Sequence, residues 1–243
     1  MTRGLAPYLS VVVPFYDERE NAEALHAEVA AALASLPGGF ECVYVDDGSR
    51  DGTGDVLAKL AANDACVRVV RFAENRGQTA ALAAGFAAAR GEVIATLDGD
   101  GQNDPADLPR LLAALAHADV VNGVRANRQD TWLRRLSSRI ANAFRNWATG
   151  ERVADVGCSL RVMRASYLRR VKLYRGLHRF LPTLLRMEGA RLVELPVSHR
   201  PRRAGVSKYG IGNRLFVGLA DLMAVRWMMK RRLGADEPDA PRR

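Results

Sequence analysis

With 243 residues, 48% of them hydrophobic, the chain is long enough for one large α/β domain with a substantial buried core. Its cysteines (Cys42, Cys66 and Cys158) are widely spaced and lack a CxxC pair, which argues against a disulfide framework or a cysteine zinc site and fits a reducing cytoplasm. The net charge of +9 divides unevenly, with 9 Lys+Arg against 18 Asp+Glu up to Gly123 and 27 against 9 beyond it, so one half suits a cation and the other suits phosphates or an anionic lipid surface. In chain order, strands are expected at 9–13, 41–45, 67–71, 93–97 and 119–124. Ala- and Leu-rich helices at 19–36, 52–62, 78–89 and 105–116 separate them. Such alternation predicts a Rossmann-like, mostly parallel sheet flanked by helices. Beyond Gly123 come an Arg-rich helix at 132–149, a strand near 159–163, a helix near 180–188, a strand near 191–198, a helical segment at 211–233 and a disordered tail at 234–243.

Two partner classes fit poorly. Pro14-Phe15-Tyr16-Asp17-Glu18 follows the first strand where a dinucleotide dehydrogenase carries GxGxxG. Nucleic acid is disfavoured because half of the chain repels a phosphate backbone and no recognised binding motif is present. No window reaches the roughly 18 uncharged apolar residues of a membrane span, and nothing resembles a secretion signal.

In an open α/β sheet, ligands gather at the carboxyl ends of the strands. The fourth strand exits through Thr96-Leu97-Asp98-Gly99-Asp100-Gly101-Gln102, where the glycines let the chain bend so that Asp98 and Asp100 reach one ion. Oxygen ligands favour Mg2+ or Mn2+, which takes its remaining ligands from water and substrate phosphates and so points to a nucleoside diphosphate. The competing reading is an acidic surface loop. The first strand end offers Pro14, Tyr16 and Glu18. The second offers Asp46 and Asp47, of which Asp47 is the candidate acceptor for a base or ribose, while Asp46, Ser49 and Asp51 suit helix capping.

The segments VVVPFYDE, VDDGSRDGT, ENRGQTAAL and DGDGQNDP, in this order and spacing, resemble the inverting family-2 glycosyltransferases of GT-A fold. ADVGCSLRVMR at 154–164 and HRPRRAGVSKYG at 199–210 resemble the branch holding dolichol-phosphate mannosyltransferases and bacterial polyprenyl-phosphate glycosyltransferases. The resemblance implies a catalytic domain over 1–210 that moves a sugar from a UDP- or GDP-sugar to polyprenyl phosphate. It places Pro14, Tyr16, Glu18, Val45 and Asp47 around the nucleoside, and Asp98, Gly99, Asp100 and Gln102 around metal and diphosphate. Arg125, Arg202 and Lys208 approach phosphates of donor or acceptor, and Asp98, Asp100, Arg125 and Arg202 form the catalytic set. Asp17 stands where the family usually has Asn, and Gly99 and Gly101 where Ala and Leu are common, which implies a looser metal loop. A soluble or polysaccharide acceptor, and a non-catalytic nucleotide-binding module, remain as alternatives.

A lipid phosphate acceptor accounts for the Arg-rich half, because fixed cations screen its repulsion from the donor diphosphate. Arg128, Arg134 and Arg135 join Arg125 and Arg202 as candidate clamps, with Lys208 as a point charge. The plainer reading of Arg134 and Arg135 is a solvated helix face. A phosphate monoester is already ionised near neutrality, so no strong general base is needed and none is evident; His178 and His199 suit packing or phosphate contact. The 211–233 segment, apolar with Lys230-Arg231-Arg232 at its end, suits an amphipathic helix lying peripherally on the inner face of the cell membrane. The other candidates for its apolar face are the domain itself and a second copy of the chain.

Overall fold

The computed structural model describes residues 6–126, 143, 145–150, 153–202 and 214–232. Seven strands form one sheet: β1 (Leu9–Phe15), β2 (Phe40–Asp46), β3 (Val67–Arg71), β4 (Val93–Thr96), β5 (Val120–Arg125), β6 (Arg161–Arg164) and β7 (Leu192–Val197). Their order is β3-β2-β1-β4-β6-β5-β7, and β6 alone runs antiparallel to its neighbours. All seven lie where the apolar runs place them. The helices include α1 (Arg19–Leu33), α2 (Thr53–Asn63), α3 (Gln78–Ala88), α4 (Leu108–Ala114), α5 (Leu181–Met187) and α6 (Arg214–Arg231). A short 3-10 turn, Pro105–Asp107, precedes α4, because Pro105 suits a helix start and the Asp104 carboxylate accepts the Ala106 N–H at 3.0 Å.

Strand side chains alternate between two packed layers. Leu9, Val11, Val13 and Phe15 of β1 join α1 and α4 in the larger cluster, while Val12 joins Leu82 of α3 and Leu185 of α5 on the opposite face. Both faces are thus covered, as a largely parallel sheet requires.

Three features of this topology position the site. The chain builds β1, β2 and β3 outward and then returns to set β4 on the other side of β1, which makes the β1/β4 junction the topological switch point. Antiparallel β6 begins where β4 ends, with Arg161 opposite Thr96, so the loop entering β6 arrives beside the β4 exit. After β7, His199 bridges Asn103, which lays a strap at 198–202 across the loop following β4.

Helix α6 differs from the single-faced helix expected. Leu222 and Val225 are buried against Ala148, Leu177, Phe180 and Leu184 of the domain, so one apolar side is already covered. Leu219, Met223 and Trp227, four residues apart, are 44%, 56% and 63% exposed on another side. Among the described residues, no helix is long and apolar enough to cross a membrane. Arg128, Arg134, Arg135, Lys208 and the 234–243 tail lie outside the described residues.

Candidate active site

At the β4 exit, the Gln78 side-chain amide, on the first residue of α3, donates to Asp98 Oδ1 at 2.8 Å. Asp100 Oδ1 accepts the Gln102 backbone N–H at 3.1 Å, and Asp100 Oδ2 accepts Arg202 at 2.9 Å. Burial, reinforced by the neighbouring Asp100 charge, pushes the Asp98 carboxyl up to about 6; Arg161 and Arg125 oppose the shift. Two crowded carboxylates favour a cation between them. Gln102 donates its side-chain N–H to the Arg200 carbonyl at 3.4 Å, which leaves its side-chain oxygen able to act as a further metal ligand. No cluster of three or more His, Cys, Asp or Glu able to hold an ion occurs among the described residues. Two carboxylates with one amide instead fit Mg2+ or Mn2+ in an open site, with water and phosphate completing the shell.

The two glycines of this loop differ in their surroundings. Gly101 has φ +70 and open space around it, whereas a Cβ on Gly99 would lie 2.6 Å from Phe15 Cδ1 and 3.0 Å from the Pro14 carbonyl. The Phe15 ring and the Pro14 carbonyl of β1 therefore leave no room for a side chain at Gly99. Gly99→Ala is expected to cost about 1–3 kcal/mol in urea unfolding, through overpacking against Phe15; an unchanged midpoint would mean that the loop yields freely.

The β1 and β2 ends are more inward-turned than the sequence suggests. Pro14 and Tyr16 stay partly exposed at the mouth. Glu18 is buried, and its carboxylate accepts Asn21 Nδ2 at 2.6 Å and Arg202 at 2.9 Å. The Val45 side chain is fully buried and faces Gly85 of α3. Asp47, read as a nucleoside acceptor, is also buried. Its two oxygens accept the backbone N–H groups of Arg76 (2.7 Å) and Gly77 (2.9 Å), and Asn75 Nδ2 adds a third bond at 3.1 Å. It anchors the turn that aims α3 and Gln78 at Asp98. Asp46 bonds the Ser49 N–H and pairs with Arg71, and Ser49 accepts the Asp17 N–H. Of the three residues read as caps, only Asp51 binds the start of α2, through Thr53. Asp17 has φ 48 and accepts the Arg50 N–H at 2.7 Å, so its carboxylate ties down a left-handed turn that Asn would also tolerate.

Two arginines lie near Asp98. Arg125, at the end of β5, makes a bidentate pair with Asp155 at 2.7 and 2.8 Å, and both side chains are largely buried. Arg161 is buried beneath Asp98, bonded to the Cys158 and His178 carbonyls, while its Nε has no partner.

His178 is a packing residue. Its Nδ1 is hydrogen-bonded to Thr79 Oγ1 at 2.6 Å, and the same hydroxyl accepts the Gly176 N–H at 3.0 Å. Burial, then the charges of Arg179 and Arg161, lower its pKa from 6.5 to about 4. Because the folded value lies below the unfolded one, stability on its account is whole above pH 6.5 and falls as the pH drops toward 4. The loss approaches about 3 kcal/mol. His178→Gln is therefore expected to flatten the urea midpoint against pH across that window, and equal slopes would contradict the assignment.

The glycosyl transferase family 2 model matches residues 10–174, which include both acidic strand ends and the loop entering β6. The chain belongs to this family. It is 41% identical over 228 residues to a dodecaprenyl-phosphate galacturonate synthase of Rhizobium johnstonii, covering 91% of this chain and 67% of that protein. It is 39% identical over 205 residues to an undecaprenyl-phosphate 4-deoxy-4-formamido-L-arabinose transferase of Aeromonas hydrophila, covering 84% and 63%. The chain thus spans about two thirds of the length of these relatives. Among solved structures, a mannosyltransferase from Pyrobaculum calidifontis in complex with GDP-Man and Mn2+ matches with a TM-score of 0.66 and 21% identity, over 96% of this chain and 67% of that one. A glucosyl-3-phosphoglycerate synthase from Mycobacterium tuberculosis, with Mn2+, UDP and glucosyl-3-phosphoglycerate, matches at 0.61 and 18%, over 92% and 77%. These likenesses show the GT-A fold.

Of the residues expected from sequence, Asp98, Asp100, Gln102, Arg125 and Arg202 lie in one neighbourhood at the β4 exit. Gln78, Asp155, Arg161 and Arg200 belong to the same neighbourhood and were not singled out from sequence. Gln78 opens a helix inside ENRGQTAAL, and Asp155 and Arg161 lie inside ADVGCSLRVMR, so their motifs marked the region without revealing which side chain faces the carboxylates.

Proposed function

We propose that this glycosyltransferase transfers one sugar, with inversion, from a UDP- or GDP-sugar to a polyprenyl phosphate at the cytoplasmic face of the membrane. One observation carries the reading: at the switch point Arg202 bonds Asp100 and the Arg125 charge lies near Asp98, an arrangement that supports holding a cation and a phosphate together. The names of the Rhizobium and Aeromonas relatives, which specify prenyl phosphates, support the acceptor class.

Asp98, Asp100 and the Gln102 side-chain oxygen would hold Mg2+ or Mn2+. When bound, the ion supplies positive charge for the departing nucleoside diphosphate. Arg125, locked by Asp155, presents a guanidinium that needs no reorganisation when a phosphate arrives, which is the condition for electrostatic catalysis. The acceptor phosphate is largely ionised near neutrality, so positioning replaces a general base. The exposed Leu219, Met223 and Trp227 with the nearby Lys230 and Arg231 suit contact with an anionic leaflet that delivers the lipid.

The test is transfer of radiolabelled sugar from UDP- and GDP-sugars, with Mn2+ or Mg2+ and short-chain polyprenyl phosphate. Label moving into the organic phase supports the proposal. Label transferred to a water-soluble acceptor while the organic phase stays blank would replace it with the soluble-acceptor reading.

A further inference from the structure

Arg202 occupies a place that its expected role as a phosphate clamp does not explain. Its guanidinium bridges Glu18 Oε1 and Asp100 Oδ2, both at 2.9 Å, and both carboxylates are nearly closed off from solvent. Asp100 Oδ1 is held by the Gln102 N–H, so each Asp100 oxygen already has a donor. Arg202 is not placed there by a loose chain end. Two residues earlier, the Arg200 N–H donates to the Gln102 carbonyl at 2.8 Å, and the Arg200 side chain pairs with Glu28 and Asp104 at 2.8 and 2.6 Å. His199 bridges Asn103. The strap is thus stapled to the loop that carries the acidic pair, and Arg202 reaches back over it.

A guanidinium and a divalent ion that both draw on the Asp100 carboxylate weaken each other's hold on it. Both are positive and compete for the same lone pairs, and at a separation of a few ångströms they repel strongly in a partly buried site. We propose that Arg202 is a stand-in for the metal: it neutralises Asp100 and Glu18 while the donor is absent, and gives up Asp100 when the ion arrives with a nucleoside diphosphate. The freed guanidinium then turns to the phosphates brought by that ligand, where Arg is well suited to bidentate contact. The inference rests on the proposed metal role of Asp100 and adds its coupling to the arginine.

One consequence is cooperativity. The free ion must displace Arg202 with nothing to receive it, so it binds weakly alone. The ion together with a diphosphate offers the arginine a new partner, so each ligand tightens the other to the same degree. The protein thereby avoids an unpaired carboxylate pair before the donor arrives, and it avoids holding a free ion that has no substrate.

The experiment is direct Mn2+ binding, read from the electron-paramagnetic-resonance signal of free Mn2+, with no nucleotide and then with UDP or GDP. Wild type, Arg202→Gln, Arg202→Lys and Asp100→Ala are compared, with melting curves to confirm folding. Without nucleotide, Arg202→Gln is expected to bind Mn2+ about tenfold more tightly than wild type, a modest figure because Arg202 is partly exposed. Arg202→Lys, which keeps the charge but reaches only one carboxylate, should fall between them. With nucleoside diphosphate present, the advantage of Arg202→Gln should vanish or reverse.

An Arg202→Gln protein whose nucleotide-free Mn2+ affinity is unchanged or weaker, while Asp100→Ala abolishes binding, overturns the stand-in and leaves the metal site intact. A gain that persists undiminished with nucleotide overturns the handover to phosphate. Mn2+ binding that is indifferent to Asp100→Ala removes the metal assignment, and this inference with it.

Discussion

Asp100→Ala is expected to lower kcat for sugar transfer by about 10³-fold while the protein stays folded, because the charge that offsets the leaving diphosphate is worth several kcal/mol. The substitution removes one of the two carboxylates at the β4 exit and releases Arg202 from one of its two anchors. It also relieves like-charge crowding against Asp98, so the Asp98 carboxyl should move back toward the ordinary aspartate range. A merely structural acidic loop would behave differently: its loss would move the melting temperature and leave turnover of the folded fraction unchanged. Initial rates at saturating donor, alongside a melting curve, separate the two.

The largest effect on stability is expected at Asp155. Its carboxylate accepts Arg125 Nε, Arg125 Nη2 and the backbone N–H groups of Arg125 and Gly157, and it lies almost wholly out of water. Truncation would leave the Arg125 cation buried without its counter-charge, and breaking such a pair from one side costs about 3–5 kcal/mol. Asp155→Ala should therefore lower the urea midpoint sharply, and Arg125→Met with Asp155→Leu should recover much of the loss, since replacing both ions is far less costly than stranding one. A cost below about 1 kcal/mol would place Arg125 in a solvated environment, where surface pairs contribute little.

The fold was legible in the sequence because two-sided burial leaves continuous apolar strands and the helices between them keep their period; even β6 and β7, in the less regular basic half, lie close to their expected places. The antiparallel sense of β6 was not legible, since pairing direction depends on contacts distant in sequence. The acidic pair was visible as a motif because its two carboxylates stand two residues apart in the sequence. The site was less readable where an identical residue type also serves the scaffold: Asp47 ends a strand just as a ligand would, and the N–H groups of Arg76 and Gly77, about 30 residues on, bond its oxygens. The Arg125–Asp155 pair spans a similar separation and leaves no spacing signature. Helix α6 carries apolar residues on two sides, and only the packing against Ala148 and Leu177 reveals which side the domain already covers.

The central claim is that the acidic pair at the β4 exit, with Gln102, holds the divalent ion of a sugar-nucleotide complex. Crystals grown with Mn2+ and UDP or GDP, measured at the manganese absorption edge, test it directly. An anomalous peak within ligand distance, about 2.0–2.4 Å, of Asp98 or Asp100 oxygens and of the diphosphate is the expected result. A nucleotide bound with its diphosphate away from these carboxylates, and Arg202 still on Asp100, would contradict it.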